Sequence, residues 1–422
     1  MMCSQVVSNY AANDKTNHKE TRKAKKIIIS FDGTGGDPSW GVQCQQKLEN
    51  GTVKSDAAGL SNISKMHLLV GGTLENTGQA IDDQIALYYS GVGTRGGWVI
   101  SKVKRAINLW GMRFIYKMAL EDLEKCYNEG DKLYLFGFSR GAATARLFSS
   151  YLQKYGLEVD GKHTDPKIAF MGLYDSVPAC LNRGMSFNRG RYQLDVNYES
   201  WSTFMQSKSC VPEIVEKVVH LVAVDEQRAS FQATLFNQDE KVTEIYCAGN
   251  HSDVGGGYYH DGLSDGTLTY MLNEAKNAGL VYRTITEDTV KNDKVSLIGG
   301  NKKLEDVVNF DKDMKIEPDP CDPAVHDENF GFFGIVSKLR LFKVRNIYKI
   351  KDDKVMDNDE PVLILDNVID RIKDSGKKLK DLDVKNPFYT SNGYMPPNLK
   401  GVKYKIVNSK DGSISDEVHI MA

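Results

Sequence analysis

A glycine-bounded serine offers the clearest catalytic chemistry in this chain of 422 residues. Residues 137–141 read Gly-Phe-Ser-Arg-Gly, after an apolar strand pattern at 131–136 and before an alanine-rich helical pattern at 142–155. A sharp strand-to-helix turn of this kind exposes a serine hydroxyl at the edge of a sheet. The N-terminus of the following helix offers N–H groups and a favourable dipole to a developing oxyanion. The sequence therefore predicts Ser139 as a nucleophile.

A serine hydroxyl needs a histidine base, which a carboxylate orients, and in this arrangement the chain order is serine, acid, histidine. His251 lies in the glycine-rich segment 249–258, directly after an apolar run, where a base can reach back to Ser139. We predict His251 as the base, with His260 as the alternative. His220 lies inside an apolar run and is expected to be a core histidine.

Three aspartates fit the acid by chain order alone: Asp175, Asp225 and Asp253. Asp175 ends the apolar run that follows the nucleophile, whereas Asp225 follows a later run, which is the commoner position for the acid. An aspartate at a strand end is also a frequent turn or cap residue. The residue pattern therefore leaves the acid open.

A glycine-rich turn after the first apolar run is expected to supply a second oxyanion donor. Residues 26–31 read as a buried strand, and residues 32–36 read Asp-Gly-Thr-Gly-Gly. We predict that the N–H of Gly33 or Thr34 acts together with the N–H of Arg140, which follows the nucleophile. A phosphate-binding loop is disfavoured because the sequence contains neither GxxxxGK[ST] nor GxGxxG.

The elements that must position these residues follow a repeating pattern. Apolar runs alternate with helical patterns, which predicts βαβ units and a mainly parallel central sheet flanked by helices. With the strand–serine–helix turn, this indicates an α/β-hydrolase fold with a nucleophile elbow. We assign residues 1–24 to a flexible leader and 25–290 to the catalytic core. Residues 291–422 are expected to be a C-terminal part of the same domain that forms a lid or cap.

Composition narrows the function classes. Hydrophobic residues make up 41%, charged residues 26%, and the net charge is −2, which disfavours a nucleic-acid partner. The seven cysteines are widely spaced without a CxxC motif, which indicates a reduced, intracellular set. Residues 1–24 are too polar for a secretory signal, and no apolar run approaches the ~20 residues that span a bilayer. We predict a cytoplasmic protein in the producing cell, without a cofactor or metal, and leave a calcium requirement open.

The segment 98–127 mixes apolar and basic residues at helical spacing and is a candidate for contact with a lipid surface. The alternative is a helix that packs its apolar face inward and leaves a basic face in solvent. The residues that would meet the lipid are Trp98, Lys102, Lys104, Arg105, Trp110, Arg113 and Lys117.

Six short motifs in a fixed order resemble a known family. They are IISFDG (28–33), YYSGVGT (88–94), FGFSRGA (136–142), GLYDSV (172–177), VDEQR (224–228) and GNHSDVGGGY (249–258). In this combination they resemble the uncharacterised α/β-hydrolase domain family typified by the type VI secretion phospholipase effectors of the first lipase group. Together with weaker motif similarities later in the sequence, the resemblance covers about residues 25–400.

The resemblance implies phospholipase A activity on the fatty acyl esters of glycerophospholipids. It also implies a triad whose acid is the aspartate of GLYDSV, Asp175, with Asp225 as runner-up. Such effectors are delivered by secretion machinery to the periplasm or membrane of a competing bacterium, and an immunity protein protects the producer. This sequence departs from them in having little beyond the hydrolase domain. Two alternatives stay open: a soluble carboxylesterase or thioesterase with the same triad, and a catalytically silent, hydrolase-like binding protein.

Overall fold

The protein is described from a computed structural model. The residues that the structure describes are 23–33, 38, 45–47, 50, 59–72, 80–81, 83–91, 110–177, 210–228, 231–292, 294–297, 300–320, 344–352, 354–356, 360–378, 389–390 and 393–421.

The regular elements are labelled in chain order. The strands β1–β18 are Lys26–Phe31, Ala80–Ile81, Gln84–Tyr89, Lys132–Phe138, Leu157–Val159, Lys162–Thr164, Lys167–Tyr174, Val218–Ala223, Val242–Cys247, Lys294–Leu297, Gly300–Lys303, Ile350–Lys351, Lys354–Val355, Val362–Leu365, Tyr389–Thr390, Gly393–Tyr394, Lys403–Val407 and His419–Ile420. The α-helices α1–α7 are Asn62–Leu69, Trp110–Cys126, Arg140–Tyr155, His251–Gly255, Gly262–Asn277, Glu287–Asn292 and Asp366–Lys378.

Within the part of the chain that the structure describes, ten strands form one central sheet in the order β18-β17-β14-β9-β8-β7-β4-β1-β3-β2. The pairs from β3 across to β17 are parallel, and the two edge strands β2 and β18 are antiparallel to their neighbours. The carboxyl ends of β4, β7, β8 and β9 therefore meet at one edge of the sheet. The predicted mainly parallel sheet of an α/β hydrolase is confirmed.

The apolar strands are buried on both faces because helices cover both sides of the sheet. Successive residues of β1 illustrate this: Ile28 belongs to one core cluster, and Ile27 and Ile29 belong to the other. The first cluster includes residues of α1 and α5, and the second includes residues of α2 and α3. The strand pattern therefore reads as a continuous apolar run rather than as an alternation.

Residues 62–69, whose sequence is compatible with a strand or with the start of a helix, form α1. Ser61 caps this helix, since its Oγ accepts a hydrogen bond from Ser64 N at 3.1 Å. Helix α1 carries the Ser64 hydroxyl to Asp32, the residue that follows β1.

The candidate lipid-contact segment contains α2. Met112, Tyr116 and Ala119 are buried on its inner side, whereas Phe114 is 60% exposed and Lys117 is exposed. Trp98, Lys102, Lys104 and Arg105 lie outside the described residues. The described part of α2 thus packs an apolar face inward, and lipid contact stays a prediction.

The C-terminal part of the chain adds three strands, β14, β17 and β18, to the same sheet. The predicted lid or cap stays a prediction, and residues 1–22 of the predicted leader lie outside the described residues. Among the helices that the structure describes, none combines the length and the hydropathy needed to cross a membrane.

Candidate active site

Ser139 lies in the turn between β4 and α3. Its backbone has φ 58° and ψ −123°, a conformation that a non-glycine residue adopts only at a cost. Ser139 N donates to Tyr174 O at 3.0 Å, so the parallel pairing of β4 and β7 holds the serine at the sheet edge. This is the strained strand-to-helix turn that the sequence predicts.

Gly141, the second glycine of the motif, is required by close approach. A Cβ at this position would lie 2.1 Å from Phe31 O and 2.6 Å from Asp32 O. Only glycine therefore lets the first turn of α3 pack against the end of β1. This contact brings the turn at Asp32 beside Ser139.

Asp175 follows β7 and is completely buried. It has φ 41°, a second positive value at a non-glycine residue of this sheet edge. Asp175 N donates to Leu221 O at 2.7 Å, and Asp175 Oδ1 accepts from Ala223 N at 3.1 Å. Strand β8 thereby fixes both the backbone and the carboxylate.

His251 begins α4, after β9. Its Nδ1 lies 2.6 Å from Asp175 Oδ2, and both side chains are buried. An ionised carboxylate can only accept, so Nδ1 carries the proton and Nε2 presents a lone pair. The imidazole packs between two aromatic rings, with centroid distances of 4.7 Å to Phe138 and 5.0 Å to Phe231. Phe138 is the residue before Ser139, which places the imidazole beside the nucleophile turn.

The short helix α4 is stabilised by hydrogen bonds between residues that are close neighbours in the sequence. The Asn250 side chain accepts from Ser252 N and Asp253 N, at 3.0 Å and 3.2 Å, and Asp253 Oδ2 accepts from Asn250 N at 2.9 Å. This capping box makes Asp253, one of the three candidate acids, a helix-capping residue. A Cβ at Gly255 would lie 2.1 Å from Phe138 Cε2, so a glycine is needed for Phe138 to reach His251.

The other candidates have different surroundings. Asp225 Oδ2 accepts from Gly249 N at 2.8 Å, and its Oδ1 accepts from Tyr394 Oη at 2.8 Å. His260 is exposed. His220 is completely buried, with Nδ1 2.7 Å from a Glu244 oxygen and Nε2 accepting from Ser176 N at 3.0 Å. It is therefore a hydrogen-bonded core histidine.

The structure describes two of the three predicted oxyanion donors. Thr34 lies outside the described residues. Gly33 N donates to Asp32 Oδ1 at 2.6 Å. Arg140 is the first residue of α3, so its backbone N–H lies at the start of that helix, directly after Ser139. The role of these three residues stays a prediction.

Asp32 is a functional candidate that sequence reasoning missed. Its buried Oδ2 accepts from Ser61 Oγ at 2.7 Å, Ser64 Oγ at 2.8 Å and Tyr88 Oη at 2.5 Å. Burial raises the pKa of Asp32, although these hydrogen bonds oppose the rise. The network ties the turn after β1 to α1 and β3. The Asp-Gly motif was the available signal, but the serines lie about thirty residues further along the chain.

Arg345 is the second missed residue. Its Nη1 lies 2.6 Å from Asp175 Oδ1 and its Nη2 lies 2.8 Å from Asp175 Oδ2, a bidentate ion pair. Burial opposes ionisation of Asp175, but the Arg345 charge and the hydrogen bond with His251 hold the pKa of Asp175 well below its usual range. No motif surrounds Arg345, so no local signal pointed to it.

Among the residues that the structure describes, no group of three or more His, Cys, Asp or Glu side chains is placed to hold a metal ion. The described site thus contains a buried histidine–carboxylate pair beside a strained serine. Such an arrangement can activate a hydroxyl for attack on a carbonyl.

A family model described as the catalytic domain of Tle1-like type VI secretion phospholipase effectors matches residues 25–163 and 157–274, more than half of the chain. An uncharacterized protein of Saccharomyces cerevisiae is 26% identical over 256 residues, which are 53% of this chain and 34% of that protein. The chain thus spans about a third of the length of this curated relative.

The solved structures that are similar to the chain include the following two. The Tle1 effector bound to the VgrG spike of the type 6 secretion system is 16% identical, covers 66% of this chain and 81% of its own, and has a TM-score of 0.39. An uncharacterized protein from Pseudomonas aeruginosa is 20% identical, covers 68% of this chain and 51% of its own, and has a TM-score of 0.40.

Proposed function

Because the chain belongs to the family of Tle1-like type VI secretion phospholipase effector catalytic domains, we propose that it is a serine-dependent phospholipase A. Family membership supports a lipid ester hydrolase. We propose in addition the serine mechanism and the substrate, the fatty acyl esters of glycerophospholipids. The observation that carries it is the 2.6 Å contact between His251 Nδ1 and Asp175 Oδ2, buried beside the strained turn at Ser139.

In the proposed first half-reaction, Ser139 Oγ attacks the ester carbonyl while its proton passes to His251 Nε2. Asp175 holds the imidazole in the tautomer that accepts this proton and stabilises the imidazolium that forms. The tetrahedral intermediate collapses, the bond to the glycerol oxygen breaks, and the imidazolium gives its proton to that oxygen. Lysophospholipid leaves, and the acyl group stays on Ser139.

In the second half-reaction, His251 takes a proton from water as the water oxygen attacks the acyl-enzyme. Collapse of this intermediate breaks the bond to Ser139 Oγ, which recovers the proton, and a fatty acid leaves. General base catalysis of this kind contributes about 10²–10⁴-fold to the rate.

The oxyanion is proposed to accept from Arg140 N and from the turn at Gly33 and Thr34. Gly33 N donates to Asp32 Oδ1 at 2.6 Å, so Gly33 contributes only when it turns from that carboxylate toward the substrate. Loss of one such donor typically costs ~10²–10³ in kcat.

The family also supports proposals about partners and place of action. The similar Tle1 effector was solved with a VgrG spike, and we extend to this chain delivery by a secretion spike to the periplasm or membrane of a target cell. An immunity protein in the producer would follow from that role. No metal enters the proposed steps, and an assay with and without EDTA tests the open question of calcium.

The test compares wild-type protein with Ser139→Ala on mixed phospholipid vesicles, with released fatty acid and lysophospholipid measured by mass spectrometry. Ser150→Ala is the matched control, because Ser150 lies on the same helix and its hydroxyl donates to Arg146 O at 3.0 Å, away from the turn. We expect release by wild type and Ser150→Ala and none by Ser139→Ala. Full activity of Ser139→Ala would disprove the mechanism.

Two further outcomes separate the alternatives. Labelling of Ser139 by a fluorophosphonate probe, with hydrolysis of soluble esters but not of vesicle phospholipid, would identify a carboxylesterase or thioesterase. Failure to label at all would identify a catalytically silent, hydrolase-like binding protein.

A further inference from the structure

Arg345 comes from outside the residues that the family model matches, yet it contacts the predicted acid directly. Its side chain is almost completely buried. Besides the two bonds to Asp175, Nη1 donates to Ala223 O at 2.9 Å, Nε donates to Phe231 O at 3.1 Å, and Nη2 also donates to Phe231 O. These five bonds match the five N–H donors of a guanidinium, so none is left for a substrate group.

The backbone of Arg345 is held as firmly as its side chain. Asn398 Nδ2 donates both to Arg345 O at 3.1 Å and to Val224 O at 2.9 Å. Three residues further on, Tyr348 O accepts from Tyr246 Oη at 2.8 Å, which anchors the segment to β9. The guanidinium therefore approaches Asp175 from a fixed position at the ends of β8 and β9.

The charges around His251 come from several elements. Asp175 follows β7 and pairs with Arg345. Glu226 follows β8, binds Arg228 with an Nη2–Oε2 distance of 2.6 Å, and accepts from His251 N at 3.4 Å. Asp253, on α4, is engaged in the capping box.

Two of these carboxylates, Asp175 and Glu226, form ion pairs with the guanidinium groups of Arg345 and Arg228. Arg345 and His251 share the Asp175 carboxylate, so substitution of Arg345 removes a positive charge that lies one carboxylate away from the imidazole. Because Phe231 packs on His251 and its carbonyl binds Arg345, the same arginine also sets one aromatic wall of the imidazole site.

Building on the proposed function, we propose that Arg345 is a positioning residue of this hydrolase. It fixes the plane of the Asp175 carboxylate, and through it the aim of His251, and it places a positive charge on the other side of that carboxylate from the imidazole. A bidentate guanidinium suits this role because it restrains both carboxylate oxygens at once.

The experiment measures kcat against pH on a soluble p-nitrophenyl ester for wild type, Arg345→Met and Arg345→Lys, with thermal unfolding of each. Arg146→Met is the matched control. Arg146 is also buried, but its guanidinium binds the carbonyls of Thr234 and Leu235 and lies over Phe236. The Arg146→Met substitution removes a buried arginine and leaves Asp175 and its contacts in place.

For Arg345→Met we expect kcat to fall about 10–100-fold and the acidic limb of the profile to move up by about one pH unit. Arg345→Lys keeps the charge but loses the fork, so its limb stays in place while kcat falls. Arg146→Met is expected to lower the unfolding temperature without moving the limb.

An Arg345→Met limb that coincides with wild type would overturn the proposal. If Arg345→Met does not fold, Arg345→Lys decides, because a wild-type kcat in that variant excludes a role for the bidentate geometry. Fluorophosphonate labelling of wild-type Ser139 distinguishes a failure of the proposed function from a failure of the role proposed for Arg345. Without labelling, the proposed function and the role of Arg345 both fail, whereas labelling with an unmoved limb removes Arg345 alone.

Discussion

Asp225 and Gly249 exchange two hydrogen bonds: Asp225 Oδ2 accepts from Gly249 N at 2.8 Å, and Asp225 N donates to Gly249 O at 3.0 Å. The remaining carboxylate oxygen accepts from Tyr394 Oη at 2.8 Å. Asp225 thereby joins the turn that carries His251 to the C-terminal part of the chain. Asp225 thus supports the turn before His251, whereas Asp175 is the carboxylate that contacts the imidazole.

This support by Asp225 predicts a pH dependence of stability. Burial raises the pKa of Asp225 to about 7, from 3.8, although the bond from Tyr394 opposes the rise. Between about pH 4 and pH 7 the folded protein holds a proton that the unfolded chain has released, so the contribution of Asp225 to stability falls as the pH rises. We expect Asp225→Asn to flatten this dependence in urea unfolding at pH 5 to 8.

An exposed aspartate, Asp416, provides the control for that series. Asp416→Asn is expected to follow the wild-type dependence. Parallel curves for wild type and Asp225→Asn would show that Asp225 is already ionised across the whole range.

The two candidate acids are predicted to differ in activity. Asp175→Asn should lower kcat by about 10⁴-fold, because an amide can hold the imidazole in the wrong tautomer. It should also lower the unfolding temperature, since Arg345 is left buried without its carboxylate. Asp225→Asn should retain most of the ester hydrolysis rate, measured on the same soluble substrate. Comparable losses in both variants would contradict the assignment of Asp175.

Two buried glycines are predicted to respond in opposite directions to alanine. A Cβ at Gly141 would meet the main-chain oxygens of Phe31 and Asp32, which no side-chain rotation can relieve. A Cβ at Gly266, inside α5, would meet only Asn367 Nδ2 at 4.0 Å. We expect Gly266→Ala to stabilise the protein by roughly 0.5–1 kcal/mol, and Gly141→Ala to destabilise it strongly. Chemical denaturation measures both, and a neutral Gly141→Ala would exclude the close approach of α3 to β1.

Lys65 is predicted to be required for packing α1 against α5. Its buried Nζ lies 2.5 Å from Asp261 Oδ2 and 2.8 Å from Asp265 Oδ1. Burial lowers the pKa of Lys65, but the two carboxylates outweigh it and raise that pKa overall. Lys65→Met should cost about 3–5 kcal/mol, because two buried carboxylates lose their partner.

The double variant Lys65→Met with Asp265→Asn should recover part of that loss, as measured by urea unfolding. The exposed pair of Lys291 and Glu287 supplies the control, and Lys291→Met is expected to leave stability unchanged. A Lys65→Met protein as stable as wild type would show that the cluster is paired through other contacts.

Local sequence was sufficient for the residues whose neighbours along the chain create their geometry. The strand–glycine–serine–helix pattern fixes the turn at Ser139, and Gly255, near His251, permits the approach of Phe138. The parallel sheet was equally predictable, because its strands are short apolar runs between helical patterns. Helix α1 was ambiguous, since residues 62–69 are too few for periodicity to separate a helix from a strand.

Residue order alone could not separate Asp175 from Asp225, and only the family resemblance favoured Asp175, because both follow buried strands whose ends meet at the same edge. The difference arises from which neighbour each carboxylate meets across the sheet: His251 for one, Gly249 and Tyr394 for the other. Arg345 was unpredictable for a related reason. It lies 170 residues from Asp175, and only the folded chain brings them together.

The ribosome synthesises Arg345 after the residues of the predicted triad. Ser139, Asp175 and His251 leave the ribosome before Arg345, and before Asn398, which holds the Arg345 backbone. A nascent chain that has been made only as far as β9 therefore still lacks the guanidinium partner of Asp175. The ion pair that restrains the Asp175 carboxylate can form only after the segment that contains Arg345 has been synthesised.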